Sequence, residues 1–190
     1  MRNRIILGCI LFTIITGGGY YLYQKYNPTT YYSDKVHVHS DFIIVINDEH
    51  VRLTDEKYQS SAEHIRHKNI HVHDGKDDVV HRHAEGITFA EFLQSIGFTL
   101  TDTCLTNDKN ETFCTDDTNS LVLFVNGEPA SPTTYINQEE DRIFLYYGTR
   151  NNPKLQEYDT LITNNSCFYS GTCPERGIAP PESCGLTCEL

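Results

Sequence analysis

Three histidine pairs hold most of the chemistry available to this sequence. His37-Val38-His39, His71-Val72-His73 and His81-Arg82-His83 each place two imidazoles two residues apart. On a β-strand, residues i and i+2 point to the same face, so an HxH pair aims two ring nitrogens at one point. Imidazole is a common metal donor and suits zinc, copper(II) and nickel. A zinc site that does chemistry takes three protein donors at ~2.1 Å and keeps a further position open. The expected ligand set is His71, His73, His81, His83, His37 and His39, with Glu85 as a carboxylate partner. Asp74 and Asp41 are further carboxylates that could bind the ion or orient the imidazoles. Zinc or copper is the expected cofactor, with nickel also compatible. Copper(I) fits less well, because its soft sites draw on Met and Cys and the one methionine is Met1.

Strands must position these pairs. Asn69 to His73 and Val79 to Ala84 read as the two legs of a hairpin around Gly75. An odd loop, such as Gly75 to Asp77, sets His71 opposite His81 and gathers His71, His73, His81 and His83 on one face. Ile70, Val72 and Val80 then point to the core. An even loop moves His81 and His83 to the other face, since a one-residue slip exchanges faces. The odd loop is the expected register because it keeps the histidines off the helix-covered face. Histidine alternating with valine is also acceptable strand sequence, with the imidazoles paired to acids on an open face.

The remaining elements follow from pattern. Val36 to Ile46 has strand composition, Asn47-Asp48-Glu49 turns, and His50 to Thr54 returns as an additional hairpin ahead of the histidine hairpin. Asp55 to Lys68 is polar, with room for a short helix. Thr88 caps a helix over Phe89 to Ile96, which Gly97 ends; Phe89, Phe92, Leu93 and Ile96 share a face. Asp102 to Asn119 is an acidic loop. Leu121 to Val125 is a strand, Asn126-Gly127-Glu128-Pro129 a turn, and Asp141 to Tyr147 the last strand. Residues 151–190 form a Cys-rich tail without long apolar periodicity, expected as disulfide-stapled coil lying on the domain.

The N-terminus is a different material. After the basic Met1-Arg2-Asn3-Arg4, the 19 residues from Ile5 to Tyr23 carry no charge. As a helix they would span roughly 28 Å, one hydrocarbon core. Tyr20, Tyr21, Tyr23 and Lys25 then read as an interfacial belt. Residues 1–26 are expected to be a single-pass anchor in the cell membrane with Arg2 and Arg4 cytoplasmic. Residues 27–35 form a linker, 36–150 an extracytoplasmic domain, and 151–190 the tail. A cleaved signal peptide, with Gly17 and Gly19 as small residues ahead of the cut, is the competing reading.

Cysteine usage agrees with export. Cys9 lies in the apolar segment, and Cys104, Cys114, Cys167, Cys173, Cys184 and Cys188 follow it. An even number on an oxidising side reads as disulfides. Cys104 should close the acidic loop with Cys114, and the four tail cysteines should pair among themselves. The formal charge of -11 opposes nucleic-acid binding, and suits a cation or a basic envelope partner. No GxSxG turn and no Gly-rich phosphate loop is present.

From Asn69 onward the order is strand, strand, helix, strand, strand. The runs ITFAEFLQSIGF, LVLFVNGEPA and YINQEEDRIFLYYG resemble β-grasp domains of the ubiquitin and sulfur-carrier type. That resemblance covers about Asn69 to Gly148. It implies an α+β fold with a helix across a mixed sheet and an Asp-Arg-hydrophobic strand last. Carrier chemistry needs an exposed Gly-Gly end, whereas Tyr147-Gly148 here runs on into Thr149. The extracytoplasmic chain also resembles a family of small anchored proteins of uncultured bacteria and archaea. The shared residues are HVHSDFIIVIN, HVHDG, VVHRHAEGITFAEFLQSIG, FVNGEP, DRIFLYYG and CPERG. Some members are named protein-disulfide isomerase-like, which implies an oxidised, exported setting. Two further functions therefore stand beside metal binding. One is thiol-disulfide exchange, with Cys184 and Cys188 the closest pair; the other is a metal-free interaction module of the cell envelope.

Overall fold

The computed structural model describes residues 35–180. The expected anchor, the linker up to residue 34, and Cys184 and Cys188 lie outside the described residues. Among the described residues, no helix is long and apolar enough to cross a membrane.

The fold is α+β. Its strands are β1 (Lys35–Ile46), β2 (Glu49–His50), β3 (Ile70–His71), β4 (Val79–Ala84), β5 (Thr99–Leu100), β6 (Cys104–Thr106), β7 (Thr112–Cys114), β8 (Asn119–Val125), β9 (Glu128–Ala130) and β10 (Arg142–Thr149). The helices are α1 (Phe89–Ser95), α2 (Leu155–Asp159) and α3 (Ser166–Tyr169). The main sheet runs β3-β4-β1-β10-β8-β9, with β2 paired to β1. β1 and β10 pair in parallel, with Ile43 opposite Phe144 and Val45 opposite Tyr146; the other neighbours are antiparallel.

β1 was expected as part of an additional hairpin ahead of the sheet. The hairpin exists, but β1 is also the strand that joins the two halves of the sheet. Its run FIIVI is apolar on both faces, as an internal strand requires. Only Glu49 and His50 of the return leg pair with it. The chain then leaves to meet Asp77, whose carboxylate accepts from Arg52 Nη2 at 3.0 Å and from the Leu53 amide at 3.2 Å.

Even-numbered β1 side chains face α1. Phe42 meets Phe89 and Phe92 edge-on, with ring centroids 5.9 and 5.5 Å apart. The α1 start is a capping box: the Glu91 amide donates to Thr88 Oγ1 while the Thr88 amide donates to Glu91 Oε2. Odd-numbered β1 side chains face the tail. Ile43 and Val45 pack with Phe144, Tyr146, Tyr158 and Ile162.

The tail departs from the expected coil. Leu155, Tyr158 and Ile162 recur at helical spacing over too short a stretch to stand out in the sequence, and the sheet completes the apolar surface they need. Arg142 also donates to the carbonyls of Asp159, Ile162 and Thr163, which ties α2 down. Asp41 anchors the next turn, accepting from Thr163 Oγ1, the Asn165 amide, the Ser166 amide and Ser166 Oγ.

The three short strands β5-β6-β7 form a second sheet in which Cys104 lies opposite Cys114 and is bonded to it. Cys167 is bonded to Cys173 within the tail. Glu128 and Pro129, expected in a turn, belong to β9; Pro129 is tolerated there because β9 is the edge of the described sheet.

Candidate metal centre

The histidine hairpin takes the odd register, with His71 opposite His81 and Ile70 opposite Arg82. Asp74 and Gly75 both adopt positive φ and turn the chain. β1 then lies on the other side of β4, with His39 opposite His81. The same register continues to set His37 beside His83, their ring centroids 4.7 Å apart, before the pairing slips by one residue towards Lys35. Three strands thus present six imidazoles on one face. Ile70, Val72 and Val80 are fully buried, as expected. Arg82 is buried too, and alternation puts it on the opposite face from its neighbours His81 and His83. There its guanidinium donates to the carbonyls of Asn137 and Ala84.

His37, His39 and His81 come closest to a ligand set. Their donor atoms all lie within 4.8 Å of one another, and Nε2 of His37 and Nε2 of His39 are 3.1 Å apart. Two nitrogens bound at ~2.05 Å to one ion stand ~3.3 Å apart at a tetrahedral angle and ~2.9 Å apart at a right angle. The observed separation falls between these values. His71, His73 and His83 extend the cluster: the His73 ring centroid is 4.1 Å from that of His81, and the His71 centroid is 4.9 Å from that of His83.

The imidazoles are held by their other nitrogens. His71 Nδ1 donates to the His67 carbonyl at 2.8 Å, which leaves the ring lone pair on Nε2. His73 Nδ1 lies 2.8 Å from the Asp74 carboxylate, so Asp74 orients a histidine. His39 Nδ1 lies 3.0 Å from Ser170 Oγ, and Ser170 Oγ in turn donates to Glu139. Burial raises the Glu139 carboxyl, but hydrogen bonds from His39 and Ser170 outweigh it and hold the pKa below the ordinary value. A carboxylate behind an imidazole fixes the tautomer and strengthens the ring as a donor. Tyr169 closes the cluster from the tail, its ring centroid 5.8 Å from that of His39 and 5.3 Å from that of His81.

Two expected carboxylates lie elsewhere. Glu85 sits past the end of β4 with a half-exposed side chain, 3.5 Å from Arg82 Nη1, and is not among the residues grouped around His37, His39 and His81. The chain bends away at Gly86, where φ is positive. Asp41 shares the histidine face but is occupied by the tail. Glu139, Ser170 and Tyr169 gave no sequence signal. They stand 100 or more residues from His39, which they meet through the tail and the β9–β10 connection.

Comparison with family models, with curated proteins and with solved structures finds no match to this chain.

Proposed function

We propose that this protein is a membrane-anchored, extracytoplasmic domain that binds a divalent transition-metal ion through His37, His39 and His81, with His71, His73 and His83 as neighbouring donors. The observation that carries the reading is the convergence of three imidazole donors from two strands within 4.8 Å. Nitrogen donors favour zinc, copper(II) or nickel over softer or harder ions. The two disulfides support an oxidising compartment, in agreement with an anchor at 1–26. The order β4-β1-β10-β8-β9, with β1 and β10 parallel and α1 following β4, supports a β-grasp scaffold whose first strand is β1. Such a protein buffers, senses or delivers its metal.

Titration of the purified full chain with zinc, copper(II) and nickel tests this. At least one should bind in the micromolar range or tighter, and replacing His39 and His81 with Ala should abolish that binding. His50→Ala should leave it intact. Binding should weaken as pH falls through ~6.5, because protonated imidazole does not ligate. Wild-type affinity no tighter than about 1 mM for all three ions removes the reading.

A further inference from the structure

The tail covers the histidines without sealing them. A cavity of about 480 Å³ lies against the α3 end of the tail, and its lining includes His37, Phe168, Tyr169, Pro174, Ile178 and Pro180. Of the three clustered donors, His37 alone lines it. His39 and His81 are 3% and 1% exposed, whereas His37 is partly open. Among the described residues, the cavity meets the donor cluster directly at the His37 ring, with Tyr169 and Ser170 between it and His39 and His81.

Three imidazoles do not saturate a first-row divalent ion, which takes at least one further ligand from whatever reaches it. The neighbouring His71 and His73 are held on β3 and in the turn after it by their Nδ1 bonds, on the far side of β4 from His37; His83, its ring centroid 4.7 Å from that of His37, stays outside the group whose donors all lie within 4.8 Å of one another. Among the described residues no Asp, Glu, Lys or Arg lines the cavity; Arg176 stacks over the Phe168 ring that does, so the ion would add to that guanidinium as the positive charge a ligand meets there. Its walls are mainly aromatic, proline and aliphatic side chains.

We propose that the ion held by His37, His39 and His81 keeps a coordination position open to this cavity, and there takes a small anionic ligand with an apolar body, of the aromatic carboxylate class. The inference rests on the metal-binding reading above. The anionic head displaces metal-bound water, and the body lies against Phe168, Tyr169 and Pro174. A cavity of this volume falls within the usual range for small-molecule sites.

The experiment uses the full chain in detergent, loaded with one equivalent of copper(II) and freed of excess ion. Azide probes the open position through its charge-transfer band, and benzoate and acetate compete for it. Azide should bind saturably, and benzoate should displace it at concentrations at least tenfold below those needed for acetate. Ala179 also lines the cavity; Ala179→Trp, which fills it and replaces no donor, should keep the copper and weaken azide at least tenfold. Phe168→Ala should weaken benzoate and leave azide unchanged. Copper retained with no azide response means that the ion is saturated by protein donors, and overturns this inference alone. Azide binding unchanged in Ala179→Trp, or benzoate no better than acetate, also overturns it. Failure to bind copper, zinc or nickel at all removes the metal-binding reading and this inference together.

Discussion

The sheet face beneath the tail has two halves that share strands and differ in chemistry. Along β1, the side chains on this face run His37, His39, Asp41, Ile43, Val45. Past Asp41, Ile43 and Val45 meet Phe144, Tyr146, Tyr158 and Ile162 in an ordinary apolar core. Before Asp41, His37 and His39 meet His81 and His83, with His71 and His73 beyond them. Burying a large aliphatic or aromatic side chain stabilises a fold by about 1.5–3 kcal/mol. Burying an imidazole brings less, because its polar nitrogens must be matched. The apolar half explains why the tail adheres. The histidine half gives buried surface to groups that stability alone would not select, and that contrast is what makes it the candidate functional half.

The largest effect that would sharpen this contrast is Phe144→Ala. It should cost about 3–5 kcal/mol in chemical denaturation while the folded fraction keeps its metal affinity. Replacing His39 and His81 with Ala should do the reverse, removing metal at less than half that cost to the metal-free protein. Equal destabilisation by the two variants would erase the distinction between the halves.

Asp41, at the boundary, comes next. Asp41→Asn exchanges one acceptor oxygen for an amide NH2 that faces donors, either Thr163 Oγ1 and the Asn165 amide or the Ser166 amide and hydroxyl. The loss should be about 2–3 kcal/mol, with the tail cut faster in limited proteolysis. Unchanged proteolysis would separate the tail's attachment from Asp41.

Glu139→Gln should lower metal affinity about tenfold with no change in ligand number, because it weakens the carboxylate behind Ser170 and His39. Titration by competition with a chelator measures it, and an unchanged affinity would detach Glu139 from the site.

The smallest effect concerns the apolar half at high pH. Burial, and then the hydrogen bond to Asp48, push the Tyr158 phenol up to about 12. The raised value means that the folded state favours the neutral phenol. Its contribution is present below the ordinary value near 10 and is lost as pH rises from about 10 to about 12. Thermal unfolding against pH should therefore fall more steeply in wild type than in Tyr158→Phe. Parallel curves would show that this phenol does not help hold the tail.

Much of the histidine half was legible in the sequence. HxH on a strand fixes two imidazoles to one face, and the odd loop brought His71 opposite His81. Which pairs converge was not legible. The tightest group draws on His37 and His39, because β1 lies beside β4 while β3 flanks it on the other side. That arrangement follows from the parallel pairing of β1 with β10, a contact no local pattern announces. Glu85 was drawn in by its nearness in sequence to His83, but it stands past the end of β4 with its carboxylate beside Arg82. The tail helices were hidden because their apolar residues form a stripe only against the sheet, so the cover supplied by Tyr169 and Ser170 was hidden with them.

The length of chain between the histidines and the tail also sets when the site is covered. His39 is made early in synthesis, yet its contact with Ser170 closes 131 residues of chain. Such non-local closure raises contact order and places the final assembly late in folding. A nascent chain shows isolated HxH claws to the surrounding ions, and a two-nitrogen claw grips weakly. The three donors meet once β1 pairs with β4, but their cover by Ser170 and Tyr169 waits until β10 has docked and the tail has wrapped across the sheet. On the proposed metal-binding reading, the finished site would form last, and tight ion occupancy would report whether folding has run to its end.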